Sequence, residues 1–214
     1  MVMTDNSSNA VTAVILAGGL SRRMGQDKLF LEVGGVPLFE RVLQPMQQLF
    51  DQIMVIANER EPFCYYSFPV YKDIYSGSAL GGLFTGLFHA KTHWAFVSAA
   101  DLPFVNVEVV NYLLSLTHDC DVVVPYSEKG AEPLFACYAK SCLPVMEQAL
   151  KNSQFKIVDL FDTLIVRHVP FIQLADIQGI ENAFINLNCL EDLSLSNQLL
   201  INYDSNERIK LCLD

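Results

Sequence analysis

The chain has 214 residues, of which 51% are hydrophobic, and 14 lysine and arginine residues stand against 24 aspartate and glutamate residues, giving a formal net charge of −10. The hydrophobic content is enough for one packed domain, and the negative charge excludes a broad basic surface for nucleic acid, so any anion site is local. No apolar run approaches the about 18 residues of a membrane span, and residues 1–10 lack the basic head and apolar run of a signal peptide, so we expect a cytoplasmic protein with no membrane partner.

Short apolar runs separated by glycine, proline and charged residues predict an alternating series of strands and helices. The predicted strands are residues 13–16, 30–33, 53–57, 70–72, 94–98, 121–124, 134–139 and 165–171. The predicted helices are residues 37–50, 80–91, 107–114, 143–151, 155–164 and 190–200. Because near-continuous apolar strands alternate with helices, we expect a three-layer α/β/α domain with a mostly parallel sheet covered on both faces.

No linker, repeat or low-complexity block divides this pattern. We therefore expect residues 1–10 to be a flexible leader, residues 11–201 to be a single domain, and residues 202–214 to be a polar C-terminal tail. The six cysteines show no C-x-x-C pair and no metal-ligand spacing, which favours reduced thiols. The four histidines also lack the spacing of a metal site.

The loop after the first predicted strand, within VILAGGLSRRMGQDKLF, combines paired glycines with a cluster of cations. Gly18 and Gly19 allow backbone N–H groups to approach an anion, and Arg22, Arg23 and Lys28 bring three positive charges into one loop of an acidic protein. Open parallel sheets bind ligands beyond the carboxyl ends of their strands. The stretch matches neither G-x-G-x-x-G nor the P-loop pattern. It suits a nucleoside triphosphate, and the alternative is a solvated loop with incidental charge.

Polar residues follow several of the predicted strands. Asp101 comes just after a buried strand, where a carboxylate suits Mg²⁺, an ion that takes one or two carboxylates together with substrate phosphates. The alternative is that Asp101 caps a turn or the next helix, in company with Pro103 and Asn106. Asn58 and Asp73, taken alone, are turn residues.

The segment LAGGLSRRMGQDK, residues 16–28, resembles the L-A-G-G-x-S-x-R-M-G-x-D-K signature of the molybdenum cofactor guanylyltransferase family, called MobA. The resemblance extends from residue 13 to about residue 195 through VGGVPLFERV, VIAN, AADLPF, EPLFACY and FINLN. It implies a Rossmann-like sheet of the nucleotide-diphospho-sugar transferase fold. It also implies transfer of GMP from GTP to Mo-molybdopterin, giving Mo-molybdopterin guanine dinucleotide and pyrophosphate.

The resemblance implies a role for each residue that matches a family motif. The nucleotide site would contain Leu16, Ala17, Gly18, Gly19, Lys28, Asn58, Asp73 and Asp101. The catalytic residues would be Arg23 and Lys28, which contact the phosphates, and Asp101, which holds Mg²⁺. Gly82, Asn186 and Asn188 would lie toward molybdopterin. Taken alone, the two asparagines are also typical of the polar face of an edge strand.

The second glycine-rich loop departs from the family pattern. The family usually has G-P-L-x-G, whereas this chain has SALGG, with Ser78 and Ala79 in place of glycine and proline. Because alanine does not restrict its own φ as proline does, we expect a more mobile loop, and the contact assigned to position 78 stays open.

The substrates implied are GTP and Mo-molybdopterin, with molybdopterin-carrying and molybdoenzyme-assembly proteins as further candidate partners. A related nucleotidyltransferase that uses CTP or UTP stays open, either the molybdopterin cytidylyltransferase or an enzyme of sugar or isoprenoid phosphates, although those relatives more often have L-A-A-G at residues 16–19. A non-catalytic nucleotide-binding or chaperone-like partner of molybdoenzyme assembly is the alternative from another class. A flavin or nicotinamide oxidoreductase would need a glycine fingerprint that the chain lacks.

Overall fold

The computed structural model of the chain describes residues 11–18, 28–127 and 129–187, with Lys28 described by its backbone alone. The strands in these ranges are β1 Val11–Leu16, β2 Glu32–Val33, β3 Val36–Pro37, β4 Gln52–Ile56, β5 Val70–Tyr71, β6 Trp94–Ala99, β7 Val122–Ser127, β8 Gly130–Ala131, β9 Phe135–Ala139 and β10 Val166–Pro170. The α-helices are α1 Leu38–Leu49, α2 Ala79–His89, α3 Val107–Ser115 and α4 Leu143–Lys151. Short 3-10 helices occupy Lys28–Phe30, Glu61–Phe63, Lys140–Cys142, Ile157–Thr163, Phe171–Gln173 and Ile180–Asn182.

None of the helices in the described ranges is long and apolar enough to cross a membrane. The predicted helix at 190–200, the leader and the C-terminal tail lie outside the described residues. The described cysteines, which are Cys64, Cys120, Cys137 and Cys142, are free thiols, as expected from their spacing.

The main sheet has the strand order β10-β7-β9-β6-β1-β4-β5, with β8 beside β7. β1 pairs in parallel with both β4 and β6, and β4 pairs in parallel with β5. β9 is antiparallel to its neighbours β6 and β7, so the expectation of a mostly parallel sheet is confirmed. After β5 the chain returns to the other side of β1 to form β6, and this reversal opens a crevice at the carboxyl ends of β1 and β6.

Both faces of the sheet are covered, as the apolar runs predict. Ala13 and Ile15 of β1 belong to one buried cluster, together with residues of α1 and α3. Val14, between them, belongs to a second cluster with residues of α2 and α4. Because side chains of a strand alternate between the two faces, a strand that is apolar at every position requires a helical layer on each side. The three-layer arrangement is therefore confirmed.

Two predicted elements differ from those observed. The helix predicted over 155–164 is a 3-10 helix over Ile157–Thr163. Ile157 and Leu160, three residues apart, are both buried, and this spacing satisfies the three-residue turn of a 3-10 helix as well as it does an α-helix. The two-residue strand β8 was not predicted, because two residues are too few to show an apolar alternation.

The glycines of α2 allow this helix to lie very close to the sheet. An ideal Cβ on Gly86 would be 2.4 Å from Cγ1 of Val14, which is fully buried in β1. In the same helix, a Cβ on Gly82 would meet only ordinary contacts, the nearest at 3.5 Å from the Leu16 side chain. Helix α2 therefore needs glycine at position 86 for packing, although glycine is a poor helix former.

Replacing Gly86 by alanine should destabilise the protein, although alanine favours helices. The added methyl group overlaps Val14, and overpacking of this kind commonly costs about 1–3 kcal/mol. Gly82→Ala in the same helix is the matched control, because it meets no such overlap and gains up to about 1 kcal/mol of helix propensity. The free energies of unfolding measured in urea would contradict this packing argument if Gly86→Ala were as stable as Gly82→Ala.

Candidate functional site

Backbone hydrogen bonds join the carboxyl ends of the central strands. The amide of Ala17 donates to the carbonyl of Ile56 at 2.9 Å, which links the end of β1 to the end of β4. The amide of Ala100 donates to the carbonyl of Leu16 at 3.0 Å, which links the segment after β6 to the end of β1. The loops that follow β1, β4 and β6 therefore begin side by side at one edge of the sheet.

Asn58 lies next to the glycine-rich loop. Its Nδ2 is 3.8 Å from the position that a Cβ on Gly18 would occupy. The amide of Ala17 already donates to Ile56, so backbone donors for an anion begin at Gly18. Gly18 is exposed, and the absence of a side chain there leaves its backbone accessible beside the Asn58 amide.

Asp73 is held in one orientation. Its Oδ1 accepts hydrogen bonds from the backbone amide of Tyr75 and from Oγ1 of Thr85, each at 3.0 Å. Burial raises the pKa of the Asp73 carboxyl above its ordinary value, and the hydrogen bonds from Thr85 and Tyr75 act in the opposite direction. Oδ2 of the same carboxyl lies 4.0 Å from the position of a Cβ on Gly82.

Gly82 lies among residues of the expected nucleotide site. A Cβ there would be 3.5 Å from Cδ2 of Leu16 and 3.9 Å from Cγ2 of Ile56, in addition to its approach to Asp73. The missing side chain leaves a small concave surface between the ends of β1 and β4 and the Asp73 carboxyl. The structure thus brings Leu16, Gly82 and Asp73 together, and the expected role of Gly82 toward molybdopterin stays a prediction.

Asp101 follows β6 and is half-buried at the same edge. Its carbonyl accepts a hydrogen bond from the amide of Leu187 at 3.0 Å. The N-cap of α3 is Asn106, whose Oδ1 accepts from the amides of Glu108 at 2.9 Å and Val109 at 3.2 Å. Since Asn106 alone supplies this cap, the alternative that Asp101 caps the helix does not hold.

The donor set around Asp101 suits a magnesium ion that is completed by a substrate. Within the described residues, no group of three or more His, Cys, Asp or Glu side chains is arranged to hold a metal ion. Mg²⁺ binds hard oxygen ligands and is commonly held by one or two carboxylates together with substrate phosphates and water, without a cage made only of protein. A single carboxylate at a strand end fits this mode of binding.

Ser78 has a defined structural role in the second glycine-rich loop. It is the N-cap of α2, and its Oγ accepts a hydrogen bond from the amide of Gly81 at 3.0 Å. Its φ of −143° lies in the extended region, where glycine is not needed, and the left-handed conformation falls on Gly77 with φ 103°. Ala79 is the first residue of the helix, a position that proline suits but that does not require it.

A pocket lies at the carboxyl edge beyond β7 and β10. Its volume is about 260 Å³, and it is lined by Ser127, Lys129, Phe171, Glu181, Phe184 and Ile185. Phe184 packs edge-on against Phe135 with ring centroids 5.6 Å apart, and the exposed Asn186 follows two residues later. The chain from Phe184 to Leu187 therefore connects this pocket to the backbone of Asp101.

The lining of this pocket was not predicted from the sequence, because its members come from separate segments without a shared motif. The nearest sequence signal is EPLFACY, since Oγ of Ser127 donates to Oε1 of Glu132 at 2.6 Å. Thr85 was also missed. Gly19, Arg23, Asn188 and the side chain of Lys28 lie outside the described residues, so their expected roles stay predictions.

The chain is similar to members of one family over most of its length. The model of the MobA-like NTP transferase domain matches residues 13–164. A protein of Natranaerobius thermophilus named "Probable molybdenum cofactor guanylyltransferase" is 35% identical over 205 residues, which cover 92% of this chain and 98% of that protein.

Solved structures give the same relationship at the level of the fold. Molybdopterin-guanine dinucleotide biosynthesis protein A from Archaeoglobus fulgidus is similar with a TM-score of 0.78 and 26% identity, over 89% of this chain and 99% of that chain. The 4-diphosphocytidyl-2C-methyl-D-erythritol synthase from Anaerococcus prevotii has a TM-score of 0.69 and 17% identity, over 90% and 99% of the two chains, and shows the fold alone. The expected nucleotide-diphospho-sugar transferase fold is confirmed.

Asp73→Asn should change how stability depends on pH. The folded protein keeps the Asp73 proton to a higher pH than the unfolded chain, because burial raises the pKa of this carboxyl. The stabilisation is therefore complete below the ordinary carboxyl pKa of about 4 and is lost as the pH rises through the raised pKa. Asparagine keeps an oxygen that can accept from Tyr75 and Thr85 but does not ionise, so we expect the variant to gain stability relative to wild type as the pH rises.

Urea denaturation of both proteins, at a series of pH values from about 4 to 7, measures this difference in the free energy of unfolding. Asp162→Asn, at an exposed position, is the control and should show no such trend. A difference between Asp73→Asn and wild type that does not depend on pH, or that falls as the pH rises, would show that burial does not dominate the titration of Asp73.

Proposed function

The chain belongs to the MobA-like NTP transferase family, and from that membership we propose that it transfers a guanylyl group from GTP to Mo-molybdopterin and releases pyrophosphate. The products are Mo-molybdopterin guanine dinucleotide and pyrophosphate. The observation that carries the proposal is the edge at which the glycine-rich loop, Asn58 and Asp73 meet Asp101, since the hydrogen bonds of Ala17 and Ala100 align the strands that precede them.

The reaction needs positioning and charge neutralisation more than proton transfer. An oxygen of the terminal phosphate of molybdopterin forms a bond to the α-phosphorus of GTP, and the bond from that phosphorus to the oxygen bridging to the β-phosphate breaks. The electron pair of the broken bond leaves with pyrophosphate. Because a phosphate nucleophile is already ionised near neutral pH, the protein need not supply a general base. The absence of a histidine from the expected site is consistent with this chemistry.

The triphosphate is held by the loop after β1. Backbone amides from Gly18 onward and the cations Arg23 and Lys28 contact the phosphates, and the cations stabilise the negative charge that develops on the leaving pyrophosphate. The chain carries a formal net charge of −10, so these residues give the loop a local potential opposite to that of the whole protein.

Asp101 holds a magnesium ion, for which a single carboxylate at a strand end is a suitable ligand. When it is bound, this ion neutralises charge on phosphate oxygens and orients them. The carbonyl of Asp101 is fixed by Leu187, and its segment is fixed to β1 through Ala100. These bonds keep the carboxylate at the edge where the glycine-rich loop begins.

The nucleoside and the acceptor lie on opposite sides of Asp101. Asn58 and Asp73 contact the base and the ribose of GTP, with Gly82 allowing a close approach. The pocket of about 260 Å³ beyond β7 and β10 takes part of molybdopterin, because Phe171 and Phe184 offer flat apolar walls to its ring system and Lys129 offers a positive charge. Asn186 and Asn188 lie toward this acceptor. Molybdopterin-carrying proteins, the cytoplasmic location and the limits of the domain stay predictions.

Removing Asp101 or Lys28 should abolish most guanylyl transfer. Loss of one group that stabilises transferred charge commonly lowers kcat by about 10²-fold or more, and we expect at least this for Asp101→Asn and for Lys28→Ala. The assay contains purified protein, molybdopterin on its carrier, labelled GTP and Mg²⁺, and the pterin product is identified. Asp162→Asn is the control for an exposed aspartate. Wild-type turnover in Asp101→Asn or Lys28→Ala would refute the role given to that residue.

GTP should stabilise the protein against heat more than other nucleotides do. A ligand at 100 times its Kd adds about 2.7 kcal/mol to the free energy of unfolding, which raises the Tm measurably. The Tm is compared with GTP, CTP, UTP or no nucleotide, each with Mg²⁺. A larger shift with CTP would instead favour a cytidylyltransferase, and pyrophosphate release in the presence of molybdopterin would exclude a non-catalytic binding protein.

A further inference from the structure

Thr85 of α2 has a buried hydroxyl with three polar partners. Its side chain is inaccessible to solvent, and its Oγ1 lies 3.0 Å from Oδ1 of Asp73 and 2.9 Å from the carbonyl oxygen of Gly81. The backbone amide of Ile74 donates to the same Oγ1 at 2.9 Å. The hydroxyl has one hydrogen to donate, and the carboxylate is the stronger acceptor because it is charged. Thr85 thus binds both the side chain of Asp73 and the backbone that follows it.

The turn after Asp73 is also held against the start of α2. The amide of Tyr75 donates to Oδ1 of Asp73 at 3.0 Å, and the carbonyl of Tyr75 lies only 1.8 Å from the position of a Cβ on Gly81. Since any larger residue at position 81 would displace this carbonyl, glycine there is part of the same arrangement. The turn is therefore fixed to the helix by contacts on both its backbone and its acidic side chain.

These contacts determine which oxygen of Asp73 faces the nucleotide. Oδ1 accepts two hydrogen bonds, from Thr85 and Tyr75, and both come from the helix side. Oδ2 has no hydrogen-bond partner among the described residues and lies on the side of Gly82, where a Cβ would be 4.0 Å away. The same point is 3.5 Å from the side chain of Leu16, at the end of β1. Oδ2 is thus the oxygen that can accept a hydrogen bond from a ligand at the strand ends.

We propose that Thr85 is a positioning residue of the nucleotide site, which holds the Asp73 carboxylate so that Oδ2 accepts a hydrogen bond from a hydroxyl or ring N–H of the bound nucleoside. This inference rests on the proposed function, because it requires a nucleoside at this edge. Thr85 does not itself contact the ligand. Its effect is expressed through the orientation of Asp73, and therefore in nucleotide affinity and not in the rate of the chemical step.

Thr85→Val tests this role because valine has nearly the same shape and lacks the hydroxyl. We expect the Kd of GTP with Mg²⁺, measured by titration calorimetry, and the KM for GTP to rise about tenfold, the effect of losing one hydrogen bond to a charged group, while kcat stays within about threefold of wild type. Thr85→Ser keeps the hydroxyl and should restore both values. An unchanged Kd in Thr85→Val, or a fall in kcat with unchanged KM, would overturn the inference.

Thr12→Val is the matched control for loss of a buried threonine hydroxyl. Thr12 lies in β1 at the opposite edge of the sheet, where its Oγ1 is 2.7 Å from Oγ1 of Thr92. We expect this variant to lose stability in urea as Thr85→Val does, but to bind GTP with the affinity of wild type. An equal loss of GTP affinity in Thr12→Val would mean that general destabilisation explains the effect, and it would overturn the role given to Thr85.

A double-mutant cycle tests whether Thr85 acts through Asp73. In an Asp73→Ala background, Thr85→Val should cause little further loss of GTP affinity, because the carboxylate that it positions is absent. Additive losses would overturn the inference. If Thr85→Val does not fold, Thr85→Ala takes its place in the cycle. A wild-type protein that binds none of GTP, CTP and UTP would overturn the proposed function as well, whereas wild-type binding with additive losses overturns the inference alone.

Discussion

The hydrogen bonds of Ala17 to Ile56 and of Ala100 to Leu16 are the interactions on which the site depends. Each one continues a parallel pairing for one residue beyond the regular strand, and so it fixes where the next loop departs. Because β1 is central to both pairings, a displacement of this strand would move the glycine-rich loop relative to Asn58 and Asp101 together. The sheet thus sets the distances that transfer between two bound phosphates requires.

The distribution of charge along the chain follows from this geometry. A protein of net charge −10 that uses a triphosphate must place positive charge at the phosphates, and the loop after β1 holds three cations within seven residues, Arg22, Arg23 and Lys28. A carboxylate at the neighbouring strand end, Asp101, would repel phosphate on its own. With a divalent cation it becomes attractive, which is why an acidic residue and a basic loop can serve one ligand.

Helix α2 illustrates how packing and function share the same residues. Its glycines reduce its intrinsic helix propensity, but Gly86 lets it lie on Val14 and Gly81 admits the carbonyl of Tyr75. The close approach brings Thr85 to Asp73, and Ser78 caps the first turn in place of the glycine of the family pattern. The tertiary contacts therefore compensate for a sequence that would form only a marginal helix in isolation.

The sequence by itself determined the order of the elements, the parallel sheet and the family, because apolar runs repeat with strand or helix periodicity and because residues 16–28 form a contiguous motif. It also identified Asn58, Asp73 and Asp101, since each follows a predicted strand. Only the tertiary structure decided that Asn106 and not Asp101 caps α3, that residues 157–163 form a 3-10 helix, and that Thr85 holds Asp73. These features depend on contacts between residues that are close in space or on a choice between similar local periods, and neither local pattern nor composition encodes which of the available partners a buried polar group finds.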